Sequence, residues 1–395
     1  MLAACQHRIV DVLTRPRPRV LQVCAVDFTA YHLLRPLLIA CRDEGWIAEF
    51  ACAEGPGAAA LRAEGFHHRE IPVTRSLSPR QAIATGVLAA SLLRDRPNLV
   101  HTHTPIGGLV GRAAAFAARV PAVHTFHGLP LRDPLKPTRL ERAFLATERL
   151  IAQRTRWFFS QAQGDVEHAV ALRIATRERV TVIGNGVDLA RFSPSDGRRS
   201  AARRDLGIPD EALVVMTVSR LVREKGLLEL ADAAYMLAAN PRLHVVVAGA
   251  ALPTDRTDVS QALQEHAVSR ALGTRWHQLG QRQDIAEIIH AADIFVLASH
   301  REGLPRSVIE AMAAGLPIVA SDIPACRELV EPGGNGMLVA VGDAYALAQG
   351  IGSLCAAPDV RKRYGRRSRE IALERHDERD VLERELAVLR RLVYA

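Results

Sequence analysis

The sequence predicts an α/β protein of two doubly wound domains, and three observations support this prediction. Short apolar runs alternate with helical patterns along the chain. The runs are continuously apolar, which is typical of strands buried on both faces of a parallel sheet. This alternation is interrupted at 193–212, where Ser, Gly, Pro and charged residues accumulate, and it resumes after that segment. Strand and helix repeating on both sides of a break indicate two parallel sheets, each covered by helices.

The first half of the chain contains seven predicted strands. They lie at 20–26, 47–53, 69–73, 98–103, 122–127, 157–162 and 180–186. Helical patterns such as YHLLRPLLIACRDEG and LERAFLATERLIAQR lie between them. We expect these elements to form one domain over residues 1–195.

The second half repeats the pattern, with strands predicted at 213–220, 243–250, 276–280, 294–299, 317–322 and 336–341. Segment 193–212 is the best linker candidate, so the second domain is predicted over 196–375. The stretch 376–395 places Val381, Leu386 and Leu389 near helical spacing. We expect an amphipathic helix there that completes the first domain. Open parallel sheets bind ligands beyond the carboxyl ends of their strands, so we expect the catalytic and binding residues there.

Composition excludes several protein classes. With 395 residues and 48% hydrophobic content, the chain can bury enough apolar surface to exclude disorder as its main state. The six cysteines show no paired spacing and read as small buried hydrophobes in a reducing compartment. No window approaches 18 uninterrupted apolar residues, and charged residues interrupt the first 15 positions. We therefore expect a cytoplasmic protein.

Charge is concentrated in the first half of the chain. Residues 1–190 carry 24 Lys and Arg against 16 Asp and Glu, whereas the remainder carries 27 of each. The whole net charge of +8 therefore lies on the first half. This asymmetry indicates that the first half meets something anionic.

Two cations follow the first strand of the second half. Arg220 ends that strand, and Lys225 lies in the loop VREKG that opens the next helix. Cations at a strand–helix turn, beside the free amides of a helix N-terminus, make a site for a diphosphate. A solvated charged turn is the alternative.

The segment SHREGLPRSVIEAMAAGLPIVASD contains two candidate carboxylates, Glu302 and Glu310. Ser299 ends a strand, Glu302 lies in the next loop, and a helix is predicted from about Ser307 to Gly315. Glu310 is the one charged residue in SVIEAMAAG, and burying it costs several kcal/mol unless partners hydrogen-bond it. Two ribose hydroxyls are suitable donors, although an ion pair with a neighbouring Arg would also satisfy it.

The order of these motifs resembles the retaining, nucleotide-sugar-dependent glycosyltransferases of family 4. The resemblance rests on VSRLVREKG, on the Glu-x7-Glu spacing in EGLPRSVIEAMAAGLPIVAS, and on CRELVEPGGNGMLVAVGD. HTHTPIGG, AVHTFHG and VIGNGVDLARFSP look like the acceptor-side domain of that family. The resemblance covers about 20–392 and implies the GT-B fold, in which two Rossmann-like domains face a central cleft. Together with RSLSP, the motifs look most like the enzymes of capsular, exopolysaccharide and lipid-linked glycan assembly.

The resemblance implies a role for each matching position. Arg220 and Lys225 would neutralise the departing nucleotide diphosphate. Glu310 would hold the ribose of a donor bound by the 196–375 domain, and His127 would position the donor sugar. The remaining donor-binding positions it implies are Ser299, Glu302 with the backbone of Gly303 and Leu304, and Gly280 and Arg282 near the base.

The implied reaction is transfer of a sugar, with a UDP-sugar favoured as donor, to a hydroxyl of a glycan or a polyprenyl-diphosphate-linked acceptor. Family enzymes usually use no metal or other cofactor, since the nucleotide-sugar is a co-substrate. We expect front-side transfer with retention. Three departures from the family pattern stand out: Val26-Asp27-Phe28-Thr29 replaces a glycine-rich loop, while Ser219 and Ala325 replace glycines.

The sequence is also compatible with other functions. A non-hydrolysing nucleotide-sugar epimerase shares the architecture but would act without an acceptor. His101, His103, His124 and His127 lie on two strand ends, where a two-His metal site is geometrically possible. A hydrolase or a dinucleotide-dependent dehydrogenase lacks its motif, since neither G-x-S-x-G nor G-x-G-x-x-G after the first strand occurs.

A basic binding protein is the non-enzymatic alternative. The run 361–370 is basic but has a single aromatic residue, so we expect no nucleic acid partner. The stretch 131–159 mixes basic and apolar residues in a way that suits an anionic membrane surface. We expect peripheral association with the inner face of the plasma membrane through the basic first domain, although a packed amphipathic helix would show the same pattern.

Overall fold

The computed structural model describes residues 17–74, 78–128, 138–252, 255 and 257–394. They form two compact units. The first unit contains the described residues up to Ser160, Asp165–Ile183 and those from Leu382 onward. The second contains Gln161–Gly164 and Gly184–Val381, so the chain changes unit between Ile183 and Gly184 rather than at 195/196.

The first unit is built on a parallel seven-stranded sheet. Its order is β3-β2-β1-β4-β5-β6-β7, and every adjacent pair of strands runs parallel. The strands are β1 (Arg19–Val23), β2 (Ile47–Cys52), β3 (His67–Glu70), β4 (Leu99–His103), β5 (Ala122–Phe126), β6 (Thr155–Ser160) and β7 (Val180–Val182). All seven predicted strands are confirmed, with ends that differ by a few residues.

Helices connect these strands. They are α1 (Asp27–Thr29), which continues through a π-helical turn (Ala30–Leu34) into α2 (Arg35–Asp43), then α3 (Pro56–Ala63), α4 (Arg80–Arg94), α5 (Pro105–Ala117), α6 (Arg139–Ala152) and α7 (Gln163–Ala171). A 3₁₀ turn spans Arg177–Arg179. Fully buried Leu21, Val23, Leu88 and Val100 lie in the core between sheet and helices.

The second unit repeats the architecture with six strands, in the order β10-β9-β8-β11-β12-β13. The strands are β8 (Leu213–Val218), β9 (Leu243–Ala248), β10 (Trp276–Gly280), β11 (Ile294–Leu297), β12 (Ile318–Ser321) and β13 (Gly336–Val339). Their pairing is again parallel throughout. All six predicted strands are confirmed. The fold is therefore two Rossmann-like domains with central sheets of seven and six strands.

The helices of the second unit follow the same alternation. They are α8 (Asp196–Leu206), α9 (Leu227–Met236), α10 (Ser260–Glu265), α11 (Ala267–Leu272), α12 (Ile285–Ile288), α13 (Arg306–Ala313), α14 (Pro324–Arg327), α15 (Ala344–Ala356) and α16 (Pro358–Arg375), and α17 (Glu378–Val393) closes the chain. 3₁₀ turns span Arg223–Lys225, Gly273–Arg275 and Ile289–Ala291. The predicted C-terminal helix is confirmed as α17, with Leu386 and Leu389 buried. Among the described residues, no helix combines the length and the apolar composition needed to cross a bilayer.

The prediction of a linker at 193–212 is wrong, because α8 occupies its centre. Ser195 caps the helix by accepting a hydrogen bond from the amide of Arg198, and Gly207 ends it in a left-handed conformation. Arg203 is fully buried, and it donates to the carboxylate of Asp293 at 2.9 Å and to backbone carbonyls. Capping and internal pairing thus fold an Arg-rich segment that its composition alone makes look like a linker.

Candidate functional site

Two loops of the second unit are joined at the carboxyl ends of neighbouring strands β8 and β11. The first loop ends at Gly226, whose φ is +64°, and a Cβ added there would lie 2.0 Å from the carbonyl oxygen of Ala298. The amide of His300 donates to the carbonyl of Glu224 at 2.8 Å. The close backbone approach, possible for glycine alone, holds the loop that carries Lys225 against the loop that carries Glu302.

Lys225, Glu302 and Ser299 meet at this junction. The ammonium of Lys225 lies 2.8 Å from both carboxylate oxygens of Glu302. The hydroxyl of Ser299 donates to the same carboxylate at 2.7 Å. Lys225 and Glu302 are mostly buried, with side chains 14% and 13% exposed. The structure therefore brings together three of the residues that the sequence predicted, as one hydrogen-bonded cluster.

Arg220 lies in the same loop, two residues beyond β8. Its guanidinium pairs with Asp255 and, at 3.3 Å, with Glu224, and the side chain is 32% exposed. Two carboxylates therefore flank the predicted diphosphate-binding cation. Asp255 was not singled out in the sequence, because it lies in the polar stretch that follows β9 with no motif to mark it.

The loop from Glu302 to Pro305 leads directly into α13. The side-chain amide of Asn185 donates to the carbonyl of Leu304 at 3.0 Å, and Asn185 is itself buried. Nδ1 of His376 lies 3.0 Å from the carbonyl of Asn185. Asn185, supported by His376, thus holds the carbonyl of Leu304 in place. Sequence reasoning missed both, although an Asn between two glycines in VIGNGVD was an available signal.

Glu310 lies on α13 as predicted, with a side chain 16% exposed. Burial raises the pKa of its carboxyl group, while Arg306 opposes the rise. The Nε of Arg306 donates to Glu310 Oε1 at 3.3 Å, and the same guanidinium donates to Glu378 at 3.1 Å. The structure thus contains the neighbouring Arg that the sequence offered as an alternative partner for this carboxylate.

Gly280 is the last residue of β10, and Arg282 lies in the loop that follows it. The carbonyl of Gly280 accepts a hydrogen bond from the amide of Gly249 at 2.7 Å, which ties the ends of β10 and β9 together. Arg282 instead pairs with Asp284, with Nε to Oδ1 at 2.7 Å, and with Asp205 of α8 at 3.4 Å. The predicted positions therefore lie on the same sheet edge, but the guanidinium of Arg282 contacts α8.

His127 belongs to the first unit and directly follows β5. Its Nε2 lies 3.2 Å from Nδ1 of His103, and Nε2 of His103 lies 2.8 Å from the amide oxygen of Gln22. The rings of His101 and His103 are in contact, with centroids 4.2 Å apart. His124 instead hydrogen-bonds the hydroxyl of Thr102 at 2.9 Å.

These histidines do not form a metal centre in the described part of the chain, where no group of three or more His, Cys, Asp or Glu side chains could hold an ion. Burial lowers the pKa of His101 to about 3 and holds the pKa values of His103 and His124 well below the ordinary value. All three are therefore neutral at physiological pH.

Comparison with known proteins places this geometry in a family. The family model "Glycosyl transferases group 1" matches residues 198–371, and "Glycosyltransferase Family 4" matches 34–191. An alpha-maltose-1-phosphate synthase of Mycolicibacterium smegmatis is 30% identical over 75% of this chain and 80% of its own. The UDP-Gal:alpha-D-GlcNAc-diphosphoundecaprenol alpha-1,3-galactosyltransferase of Escherichia coli is 30% identical over 64% of this chain and 65% of its own. The crystal structure of Anabaena Alr3699/HepE in complex with UDP superposes with a TM-score of 0.78, at 25% identity, over 95% of this chain and 99% of that chain.

Proposed function

Since the chain belongs to the family 4 glycosyltransferases of GT-B fold, we propose that it moves a sugar from a UDP-sugar to a hydroxyl of a glycan or polyprenyl-diphosphate-linked acceptor. The observation that carries the proposal is the cluster of Lys225, Glu302 and Ser299 at the carboxyl edge of the second sheet. A solved relative with UDP bound and a relative named for a UDP-Gal donor and a diphosphoundecaprenol acceptor support the choice of substrates.

In the proposed reaction, the bond between the anomeric carbon and the diphosphate oxygen breaks. The acceptor hydroxyl oxygen forms its bond to the same face of that carbon, so configuration is retained. The hydroxyl proton passes to an oxygen of the leaving phosphate. Negative charge therefore grows on the diphosphate, and the cations of Lys225 and Arg220 stabilise it. Cations fixed in a partly dry site contribute far more than cations in water.

The pairing of Lys225 with Glu302 fits this role. A lone buried ammonium would lose several kcal/mol of solvation free energy. Pairing with a carboxylate offsets part of this cost and keeps the ammonium in the site. A bound diphosphate offers Lys225 a second anion, and Glu302 can then share its hydrogen-bonding capacity between Ser299 and hydroxyls of the donor sugar. Catalysis by Lys225 and Arg220 needs no metal ion, so we propose a metal-independent reaction.

The places of the remaining residues in the second unit support the other donor contacts that we propose. The carboxylate of Glu310 has one oxygen engaged with Arg306 and a second that can accept from ribose hydroxyls. Asn185 holds the carbonyl of Leu304 just before α13, and we propose that the amides of Gly303 and Leu304 contact the donor sugar. We propose that the base lies near Gly280. We also propose that His127 positions the donor sugar.

A donor screen tests this function directly. The protein is incubated with UDP-, GDP- and ADP-sugars, with and without extracted polyprenyl-linked acceptors, and the products are resolved by mass spectrometry and NMR. We expect transfer from a UDP-sugar with retained anomeric configuration, undiminished by EDTA. An epimerised donor formed without acceptor would instead indicate the epimerase, and an inverted product or loss of activity in EDTA would reject the mechanism.

We also propose that the first unit associates with an anionic membrane surface. Part of the sequence segment that suggested this, 131–137, lies outside the described residues, as do residues 75–77 of RSLSP. The support comes from α4, whose exposed face is almost wholly apolar and has an Arg at each end. That face consists of Arg80, Ala82, Ile83, Gly86, Val87, Ala90, Leu93 and Arg94.

Charge complementarity supports anionic lipid as the proposed partner of this face. Neither α4 nor α5, which packs beside it, contains an acidic residue. Ile83 and Leu93 are 60% and 62% exposed. On α5, Phe116 is exposed, and the guanidinium of Arg154, in the turn after α6, lies 5.4 Å from its ring. Apolar side chains that enter the interface, flanked by cations, are typical of peripheral binding to acidic lipids.

Vesicle flotation tests the membrane proposal. We expect binding to vesicles that contain phosphatidylglycerol, little binding to pure phosphatidylcholine, and loss of binding in Ile83→Asn/Leu93→Asn. Tyr235→Asn is the matched control, because it removes a large side chain that is 52% exposed from the second unit. Binding that ignored lipid charge, or that survived the double substitution, would reject the proposal.

A further inference from the structure

A carboxyl group that no motif marks is buried inside the first unit. Glu385 lies on α17 within the stripe of Val381, Leu386 and Leu389, and it is 5% exposed. An ionisable group at such a position has a substantial desolvation penalty unless it serves a partner. Polar side chains of β4 and β5 surround it, near the carboxyl end of β5, which His127 directly follows.

When Glu385 is ionised, its carboxylate can only accept, and this fixes the direction of the hydrogen bonds around it. The hydroxyl of Thr125 donates to Oε1 of Glu385 at 3.2 Å. Because a hydroxyl has one hydrogen, Thr125 must accept from Nε2 of His101, which lies 2.7 Å away. His101 therefore carries its proton on Nε2. Its Nδ1 is buried with no hydrogen-bond partner among the described residues, as suits the bare nitrogen of that tautomer.

The same reasoning assigns the next two histidines. The amide oxygen of Gln22 can only accept, so His103 donates to it from Nε2 and keeps a lone pair on Nδ1. His127 must then donate its Nε2 hydrogen to Nδ1 of His103. The His101 ring packs against the His103 ring and holds it in this orientation.

We infer that Glu385 is a positioning residue for His127, acting through Thr125 and His101 on the packed ring of His103. The C-terminal helix thereby sets the orientation and tautomer of the histidine at the end of β5. This inference rests on the proposed role of His127 toward the donor sugar. It assigns a function to the return of α17 to the first unit.

The protonation of Glu385 gives this arrangement a pH signature. Burial raises the pKa of Glu385 to about 7, although the hydrogen bond from Thr125 favours the ionised form. The titratable groups facing it are His101 on β4 and Cys41 on α2, and burial raises the pKa of the Cys41 thiol. Of the neighbouring cations on α17, Arg384 is exposed, and Arg390 pairs with Glu44 of the 43–45 turn and with Glu383.

The test compares four variants with the parent protein. Glu385→Gln keeps an acceptor for Thr125 but cannot ionise, whereas Glu385→Ala removes the acceptor. Thr125→Val removes the relay with little change in shape, and Thr125→Ser restores it. Glu383→Gln, at an exposed position of the same helix, is the matched control. For each, kcat and KM for the donor are measured from about pH 5.5 to pH 8.5, and histidine tautomers are read from ¹⁵N NMR spectra.

We expect an inflection of kcat near pH 7 in the parent and in E383Q that E385Q lacks. E385A and T125V should lower kcat by about 10-fold, as expected for loss of one buried hydrogen bond that orients the site, and T125S should recover it. In their NMR spectra His127 should lose its single Nε2–H tautomer. Unchanged tautomers and pH profiles in folded E385A and E385Q would overturn the inference. If no donor is turned over, the proposed function fails, while the NMR comparison still decides the role of Glu385.

Discussion

At the scale of single residues, Lys225 is the group on which the proposed chemistry depends most. Lys225→Ala should lower kcat/KM by at least about 100-fold, as for other groups that stabilise a developing charge, with the larger loss in kcat. Steady-state kinetics with a UDP-sugar measures this. Lys362→Ala, which removes a lysine exposed on α16, is the control and should retain full activity. Near-normal turnover in K225A would contradict the proposed mechanism.

Glu310 should act on binding rather than on the chemical step. Glu310→Gln keeps the shape and one acceptor but weakens the bonds to ribose hydroxyls, so KM for the donor should rise about 10-fold with little change in kcat. Competition with UDP and with its 2′-deoxy form measures the effect, and E310Q should discriminate less between them. Glu378→Gln removes the other carboxylate held by Arg306 and should leave that discrimination unchanged. Equal discrimination in E310Q and the parent would contradict the role.

The sequence predicted the charged residues of the site but few of their partners. Glu-x7-Glu and the Arg220–Lys225 turn stand out because charge is rare in apolar surroundings. Asp255, Asn185 and Glu385 do not, because their partners lie 35 to 260 positions away along the chain. Spacing along one element predicts which residues share its face, whereas pairing between elements depends on sheet order and register.

At the scale of elements, the junction between the β8 and β11 loops depends on a glycine that touches no substrate. Gly226→Ala should displace the loop, because the new Cβ would lie 2.0 Å from the carbonyl of Ala298. We expect UDP affinity, measured by calorimetric titration, to fall by about 10-fold or more as Lys225 moves away from Glu302.

A control variant at Gly207 separates the effect of the steric clash with Ala298 from the effect of backbone strain. Gly207 has the same φ of +64°, but nothing lies within 4 Å of an added Cβ. Gly207→Ala should therefore lose roughly 1 kcal/mol of stability through the backbone strain that G226A shares, while keeping UDP affinity. If the two variants lost affinity equally, the junction would not be what positions Lys225.

Strands and helices could be predicted from the sequence where a single hydrophobic pattern dominated the segment. The central strands of the second sheet, such as β8 (LVVMTV) and β9 (LHVVVA), read as almost continuous apolar runs, because strands in the middle of a parallel sheet are buried on both faces. Helix α8 was missed because its apolar surface is small and its buried core contact is made by Arg203. The spacing of hydrophobic residues cannot predict a buried arginine that is held by Asp293 and by backbone carbonyls.

At the scale of the whole molecule, buried histidines dominate the response to mild acid. Burial lowers the pKa of His101, His103 and His124 in the first unit, and of His244, His277 and His290 in the second. Unfolded histidines bind protons below about pH 6.5, while these six remain neutral in the fold. Unfolding therefore takes up protons, and stability must fall as the pH drops below about 6.5.

The carboxyl groups do not cancel this effect. Glu310 and Glu385 have raised pKa values, so falling pH favours the fold at those two sites, against six histidines acting the other way. Carboxylates with lowered pKa, such as Asp95 beside Arg19, lose their contribution only as the pH falls below about 4. Between about pH 6.5 and pH 5, the histidines should therefore outweigh the glutamates.

We expect the unfolding temperature to drop steeply between about pH 7 and pH 5.5, well before the carboxylates titrate. His290→Leu should flatten this dependence, because it removes a buried titrating group whose Nε2 has no hydrogen-bond partner among the described residues. The expected change is at most about 1.4 kcal/mol per pH unit, the linkage of one proton. His67→Gln, at an exposed position, should behave as the parent protein. Scanning calorimetry over this pH range measures the difference. An unchanged slope in H290L would mean that His290 binds its proton in the folded state, with the charge solvated despite the burial seen here.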